Sequence, residues 1–587
     1  MKFLSNVLAT IVGIFLFCCI FFFGLLLISA LFSSDGKVSV KENSVLEINL
    51  EDVSYDYAGK TYIKDINYFD AKHNGVTDII NAIKEATKDE NIKGISLLNN
   101  KSQLGLAQTK AVRDALQEFK KSKKFVYAYA DYLSQGEFYL ASVADKLYLN
   151  PAGELEFKGL SSEVIYMKDL QEKSGIKMEV IRHGKYKSAV EPFLNQEMSA
   201  ENREQLTALL QSVWSTIAKD ISNGRNISVD ELNIIADSLK GRTPVLALQN
   251  KLIDKIAYED EYHNLIKKEL KTKEDEDYET IDIIDYARNI ATSAKDYSKK
   301  DIIAVIYAQG EIASGEGEVN VIGEGSIKRA LKDAREDEDI KAIVLRVNSP
   351  GGSALTSELI WREIEITKKT KPVVVSMGNY AASGGYYIAA GANRIFAEPN
   401  TITGSIGVFG VLPNMTQLSK NIGINAEQVK THAQANGYSV FEPLDNNFKN
   451  LMVENIETIY TTFLERVANG RKMTTAQVDS IAQGRVWTGV EAKNIGLVDE
   501  IGGLDSAIKY AAILAKTKSY KTENFPEYET SLNEIFGGVI QAKIFMSKEE
   551  MLKNEIGTEG YALIEKIKRI KKLQGAQAWL PYEISLN

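Results

Sequence analysis

The chain has 587 residues, 44% hydrophobic and 25% charged, a makeup that excludes a disordered or fibrous protein and implies more than one domain. A net charge of −9 argues against general nucleic-acid binding, which needs a basic face to release counterions. The two cysteines, Cys18 and Cys19, both lie in the first apolar run, so the remaining chain has no disulfide framework, thiolate zinc site or cysteine nucleophile. His73, His183, His263 and His432 are scattered, and no multi-histidine metal site is expected.

From Phe3 to Ser34 there is no charged residue, and the core of this run is Val7 to Phe32. A helix of about 20 residues crosses the hydrocarbon core, so residues 1–34 are expected to form one transmembrane anchor. A cleaved signal peptide is the rival reading. Its apolar stretch is shorter, about 7–15 residues, and Ile28-Ser29-Ala30 is a poor cleavage match. Lys2 precedes the span, while Lys37 and Lys41 follow it mixed with Asp35 and Glu42, so charge bias sets the orientation weakly.

The rest of the chain reads as one unit written twice. "NIKGISLLNN" from Asn91 aligns with "DIKAIVLRVN" from Asp339, and "DYLSQGEFYLASVADKLYLNP" from Asp131 with "NYAASGGYYIAAGANRIFAEP" from Asn379, both at an offset of 248. Residues 92–151 and 340–399 share 15 identities in 60 ungapped positions. A third match, Gly241 onward against Gly484 onward, carries an insertion. The expected domains are 45–265 and 300–515. Each copy predicts a helix (Val76–Lys88; Gly325–Glu336), then an apolar strand (Ile92–Leu98; Ile340–Val347). An amphipathic helix follows, then a second buried strand (Lys124–Ala130; Pro372–Met377), a small-residue turn opening a helix, and a short strand (Lys146–Leu149; Arg394–Ala397). Apolar strands alternating with helices predict an α/β fold with covered sheets. Residues 266–299, rich in Lys, Asp and Glu, read as a charged linker or solvated helix. Residues 516–587 read as a C-terminal extension. Within it Leu563, Ile564, Ile567, Ile570 and Leu573 form an apolar stripe beside lysines, suited to oligomer packing or to lipid headgroups.

The copies differ in chemistry. The second runs from its first strand into "NSPGG" (Asn348–Gly352), where the first has Asn100-Lys101-Ser102-Gln103-Leu104. If the glycines only made a turn, both copies should want them. In "MGNYAASGGYY" Ser383 follows a buried strand and opens a helix, near free backbone amides. That position suits a nucleophile and equally suits a helix-capping serine. The first copy has Gln135 there, which cannot attack a carbonyl. A serine needs a base. No G-x-S-x-G elbow surrounds Ser383, and His432 reads better as an ordinary surface or core histidine. A desolvated lysine is the other activator, but spacing alone does not select one.

"NSPGG", "YAASGGYYIA", "TGSIGV" (Thr403–Val408), "YKSAVEPF" (Tyr186–Phe193) and "GRVWTG…GLVDEIGG" together resemble the signal peptide peptidase A (protease IV) family in its long, duplicated bacterial form. The resemblance covers nearly all of the region after residue 34. It implies two Clp/crotonase-like domains of stacked β-β-α units, in a spiral, behind the single transmembrane helix. It implies a Ser-Lys dyad of Ser383 and Lys187, with Lys185 as the neighbouring alternative and Ala435 near the counterpart position of the second copy. Gly352 and Gly384 would supply oxyanion-hole amides and Ser405 would orient the lysine. It further implies apolar substrates such as signal peptide remnants, no metal or cofactor, a homotetramer, and an inner-membrane location with the soluble part in the periplasm. Two rivals remain open: an inactive scaffold that binds membrane peptides, and a crotonase-type acyl-CoA enzyme.

Overall fold

The computed structural model describes residues 40–63, 68–273, 275–293, 300–530 and 577–579, and near the N-terminus residues 6, 10–17, 20 and 22. Two compact units form, residues 1–41 and 42–587, and the second contains all the strands. Among the described residues no helix is long and apolar enough to cross a membrane. The Val7–Phe32 run lies largely outside them, as does the 563–573 stripe.

Two sheets carry the duplication, each built on a path of six parallel strands, and the second adds the antiparallel pair Ile402–Gly404 and Val486–Thr488. The first orders its strands Lys255–Ile256, Lys146–Leu155, Phe125–Leu133, Ile92–Leu98, Ser44–Glu47 and Thr280–Asp282. The second repeats that order with Glu500–Ile501, Arg394–Ala397, Val373–Ala382, Ile340–Ser349, Asp301–Gln309 and Tyr520–Phe525. Its strands are buried on both faces. Ile343, Leu345 and Val347 join one core with Leu331, Ile360 and Ile364 from two helices. Ala342 and Val344 point the other way, against Ala507 and Ala511 of the helix Leu504–Leu514. Side chains alternate across a strand, so a run apolar at every position demands helices on both sides.

Strands expected at Ile92–Leu98 and Arg394–Ala397 end where the sequence reading placed them. The outer boundaries differ. Residues 266–299 are not a mere linker: Thr280–Asp282 pairs in parallel with Ser44–Glu47, and the helix Ile283–Ser293 follows. Ile281, Ile283 and Tyr286 are buried, and this apolar spacing was hidden among the charges. The 516–587 stretch likewise begins inside the second sheet, where Tyr520–Phe525 pairs with Asp301–Gln309. Both repeats therefore close on a strand that returns to the start of its own sheet.

The repeats also interlock. Lys177–His183, from the first repeat, lies antiparallel to Val408–Asn414, with Val408 opposite His183. Lys60–Ile63 pairs with Glu527–Thr530. Asp56 Oδ2 accepts from Arg346 Nε at 2.8 Å, with both side chains buried, and Tyr57 stacks on Tyr307 at 4.8 Å between centroids.

Candidate active site

Three segments converge at the C-terminal ends of the second sheet. The first is the turn after Val373–Ala382. Ser383 sits where the helix Gly384–Ala389 begins, with φ +56° and ψ −116°, and makes no side-chain capping bond. Its amide donates to Gly404 O at 2.8 Å. Positive φ is costly for a residue with a Cβ and is tolerated only where surrounding contacts enforce it. In the first repeat the capping role falls to Ser134, whose hydroxyl accepts from Glu137 N at relaxed dihedrals. The cap reading of Ser383 thus describes its neighbour repeat instead. Gln135 is tied to the 158–159 backbone there, its carbonyl accepting from Lys158 N and Gly159 N and its amide donating to Gly159 O.

The second segment is the loop after Lys177–His183. Because that strand pairs with Val408–Asn414, the loop carries Lys187 across from the first repeat. Tyr186 N donates to Gln483 O at 2.9 Å, fixing the loop to the second repeat. Lys187 is fully buried and its Nζ stands 2.8 Å from Ser383 Oγ. The amine also lies 2.9 Å from Ser405 Oγ and 3.1 Å from Ser405 O. Burial with no countercharge holds this amine well below the ordinary lysine range. A neutral amine has one lone pair and two protons. The three contacts fit that state: it accepts from the Ser383 hydroxyl and donates to both Ser405 oxygens. Lys185, two residues earlier, is exposed, with its ammonium over the Tyr186 ring at 5.1 Å. His432 is exposed beside Thr431, and Ala435 lies in an exposed turn.

The third segment is "NSPGG". Gly352 has φ +153°, and a Cβ there would stand 2.1 Å from Ile312 O, so no side chain fits. The Leu104 found at this place in the first repeat could not occupy it. A Cβ on Gly384 would come 3.2 Å from Gly352 N, which places the two glycine backbones side by side next to Ser383. Backbone amides beside a hydroxyl are the kind of donor that can hold a negatively charged oxygen.

Two further glycines belong to the site and were missed from sequence. Gly484 has φ +78°, and a Cβ there would lie 2.6 Å from Lys187 Cβ. Gly184 has φ +105° and faces the Gln483 backbone, where a Cβ would meet its carbonyl carbon at 2.6 Å. Their signal was present in "HGKYK" and "QGRVW", but nothing local says that the two loops touch. The strand Gln577–Trp579 was missed as well. It pairs antiparallel with Gly351–Ser353.

The chain is a duplicated α/β protein with a buried serine at its strand ends, and residues 294–434 match the Clp protease family, so the fold is Clp protease-like. Residues 118–273 and 365–518 match Peptidase family S49. Protease 4 of Salmonella typhi is 39% identical over 474 residues, spanning 79% of this chain and 76% of that protein. Protease 4 of Haemophilus influenzae is 37% identical over 514 residues, spanning 84% and 83%. The chloroplastic serine protease SPPA of Arabidopsis thaliana is 32% identical over 464 residues, spanning 78% and 68%. The chain belongs to peptidase family S49, and it is a serine protease of the signal peptide peptidase type.

Proposed function

We propose that the protein is a membrane-anchored endopeptidase in which Ser383 is the nucleophile and Lys187 the general base. The observation that carries this reading is a buried, countercharge-free amine 2.8 Å from a strained serine hydroxyl. Neutral Lys187 takes the hydroxyl proton as Ser383 Oγ attacks the scissile carbonyl. The amides of Gly352 and Gly384 receive the developing oxyanion. The lysine ammonium then protonates the departing amine, which leaves an acyl ester on Ser383. Water gives a proton to the neutral amine and attacks the ester; the lysine ammonium returns that proton to Ser383 Oγ as the acyl–oxygen bond breaks, which releases the second product and restores the neutral amine. Ser405 holds the amine through both oxygens and so fixes its lone pair on Ser383.

Apolar peptides, signal peptide remnants foremost, are the substrates this reading assigns. An N-terminal anchor would hold the enzyme at the inner membrane, with its catalytic part on the periplasmic side as a homotetramer. The described part of the Val7–Phe32 run supports the anchor: residues 10–17 are helical and expose Ile11, Phe15 and Phe17. A crotonase-type enzyme would put a carboxylate beside the oxyanion amides, whereas Ser383 and Lys187 stand there. An inactive scaffold has no use for a desolvated lysine, which costs folding free energy.

A serine-directed fluorophosphonate probe tests the assignment on wild type, Ser383→Ala, Lys187→Ala and Lys185→Ala. Wild type and Lys185→Ala should label and hydrolyse an apolar peptide. Ser383→Ala should not label, and Lys187→Ala should lose on the order of 10³-fold in rate. Labelling that persists in Ser383→Ala rejects the nucleophile.

A further inference from the structure

Three helices meet behind Ser383. Tyr387 lies one turn into the helix Gly384–Ala389, and its amide donates to Ser383 O at 2.9 Å. Its hydroxyl donates to Glu358 Oε2. Glu358 belongs to the helix Ala354–Thr367, which begins directly after the glycine strand Gly351–Ser353. The same carboxylate accepts from Arg466 Nη2 at 2.7 Å and from Arg466 Nε at 3.2 Å. Arg466 comes from the long helix Asn446–Arg471, and its guanidinium lies over the Trp361 ring at 4.1 Å and bears on the Tyr387 phenol as well. Close to the site the first two helices pack tightly: a Cβ on Gly384 would stand 2.7 Å from Ser357 Oγ. Burial and the Glu358 carboxylate hold the Tyr387 phenol far above its ordinary range, so it remains a donor at every working pH.

The first repeat holds the same three positions with the charges exchanged. Tyr139 matches Tyr387 and Lys110 matches Glu358 at the 248 offset. Asp220 matches Arg466, at the corresponding place of two long helices, Ala200–Arg225 and Asn446–Arg471, that both end in Asn-Gly-Arg. The Tyr139 hydroxyl donates to Asp220 Oδ2 at 2.6 Å, and Lys110 Nζ lies 3.4 Å from that oxygen. An ion pair between the two helices is thus kept in both repeats, as a structural role requires. The tyrosine's carboxylate acceptor is not kept in place. In the repeat without the nucleophile it sits on the long helix. In the repeat with Ser383 it sits on the helix that follows "NSPGG".

The geometry points to Glu358 and Tyr387 as positioning residues of the oxyanion site: their hydrogen bond ties the helix behind Ser383 and Gly384 to the helix behind Gly352, and so sets the separation of the two amides. This rests on the proposed reading of those amides as oxyanion donors and of Ser383 as the nucleophile. Donors aimed at a developing charge act only when their placement is fixed before the reaction. The exchange of charges between the repeats is what moves the tie from the long helix to the glycine loop.

Full-length Tyr387→Phe tests this, because it removes one oxygen and keeps the ring against Phe463, 4.7 Å between centroids. Its kcat for an apolar peptide should fall about tenfold with KM changed less than about twofold. A peptide aldehyde adds the Ser383 hydroxyl across its C=O to form a tetrahedral hemiacetal, and should bind the variant about tenfold more weakly. The corresponding peptide alcohol, which cannot add, should bind as it does to wild type. The double variant Glu358→Lys with Arg466→Asp copies the arrangement of the first repeat. It should melt near wild type, because the ion pair is kept, and still show the loss in kcat, because the tyrosine's acceptor has moved to the long helix. Wild-type kcat and aldehyde affinity in Tyr387→Phe would overturn the proposal, as would full activity in a folded double variant. If the double variant does not fold, Tyr387→Phe decides alone. Ser383→Ala keeps the two readings apart. An aldehyde that binds it as tightly as wild type removes the nucleophile reading. Binding lost there but unchanged in Tyr387→Phe removes only the positioning role.

Discussion

Gly484 lies against Lys187 so closely that a Cβ on the glycine would stand 2.6 Å from the lysine Cβ and 2.7 Å from its Cα and N. The two residues come from different repeats, and their contact sets where the amine points. Gly484 N also donates to Ile406 O at 2.8 Å, next to Ser405, so one glycine registers both groups that surround Ser383 Oγ.

Gly484→Ala should therefore push the Lys187 backbone away while leaving both sheets intact. A displacement of about 1 Å at a catalytic group costs roughly 100-fold in rate. The expected result is a drop of that order in kcat, with KM changed much less. Circular dichroism should show unaltered secondary structure.

The state of Lys187 predicts the pH behaviour. Its amine is depressed by burial, and only the neutral form can accept the Ser383 proton. Activity should fall as pH drops through that lowered value, giving an acid limb in kcat/KM. The linkage sign follows from proton counts. Between the lowered folded value and the ordinary lysine value of about 10.4, the unfolded chain holds a proton that the folded chain lacks. Stability therefore rises with pH across this window. Denaturant titrations of Lys187→Met should show that part of the slope removed.

Asp56 and Arg346 form a buried pair that joins the two repeats, and Arg346 also donates to Ser376 Oγ and Met377 O. Gln108 Nε2 completes the cluster by donating to Asp56 Oδ1 at 2.9 Å. Removing one partner of such a pair strands the other charge, at a cost of about 3–5 kcal/mol. Asp56→Ala should lower stability by that amount in chemical denaturation. Arg346 lies on the strand that leads to "NSPGG", so peptide hydrolysis should weaken along with the fold.

Glu398 is buried near the same cluster, and burial pushes its carboxyl up to about 7. An unfolded glutamate titrates near 4.3. Between about 4.3 and 7 the folded chain holds the extra proton, so this group makes stability fall as pH rises. Glu398→Gln should flatten that slope, measured as Tm against pH, and should leave the acid limb of the rate profile in place.

Much of the interior could be read directly. The strands Ile92–Leu98 and Arg394–Ala397 are apolar runs bounded by polar turns, and their repetition at a fixed offset exposed the duplication. Thr280–Asp282 and Tyr520–Phe525 escaped because each gains its identity from a partner more than 200 residues away. Their own composition is that of a charged connection, and strand propensity is weak where pairing supplies the stabilisation. The pairing of Gln577–Trp579 escaped for the same reason.

The asymmetry of the two copies was fixed in the sequence: Ser383 and the glycine pair of "NSPGG" in one, Gln135 and a loop without that pair in the other, and a lysine motif in the first repeat alone. These are differences of residue type, and residue type is what a sequence states outright. That the lysine reaches the serine was decided only in three dimensions. The antiparallel pairing of Lys177–His183 with Val408–Asn414 carries the amine across, and the absence of any side chain at Gly484 leaves room for it. The lowering of its basicity was decided there too, since burial away from every countercharge is a property of the packed interior and not of the residues flanking it.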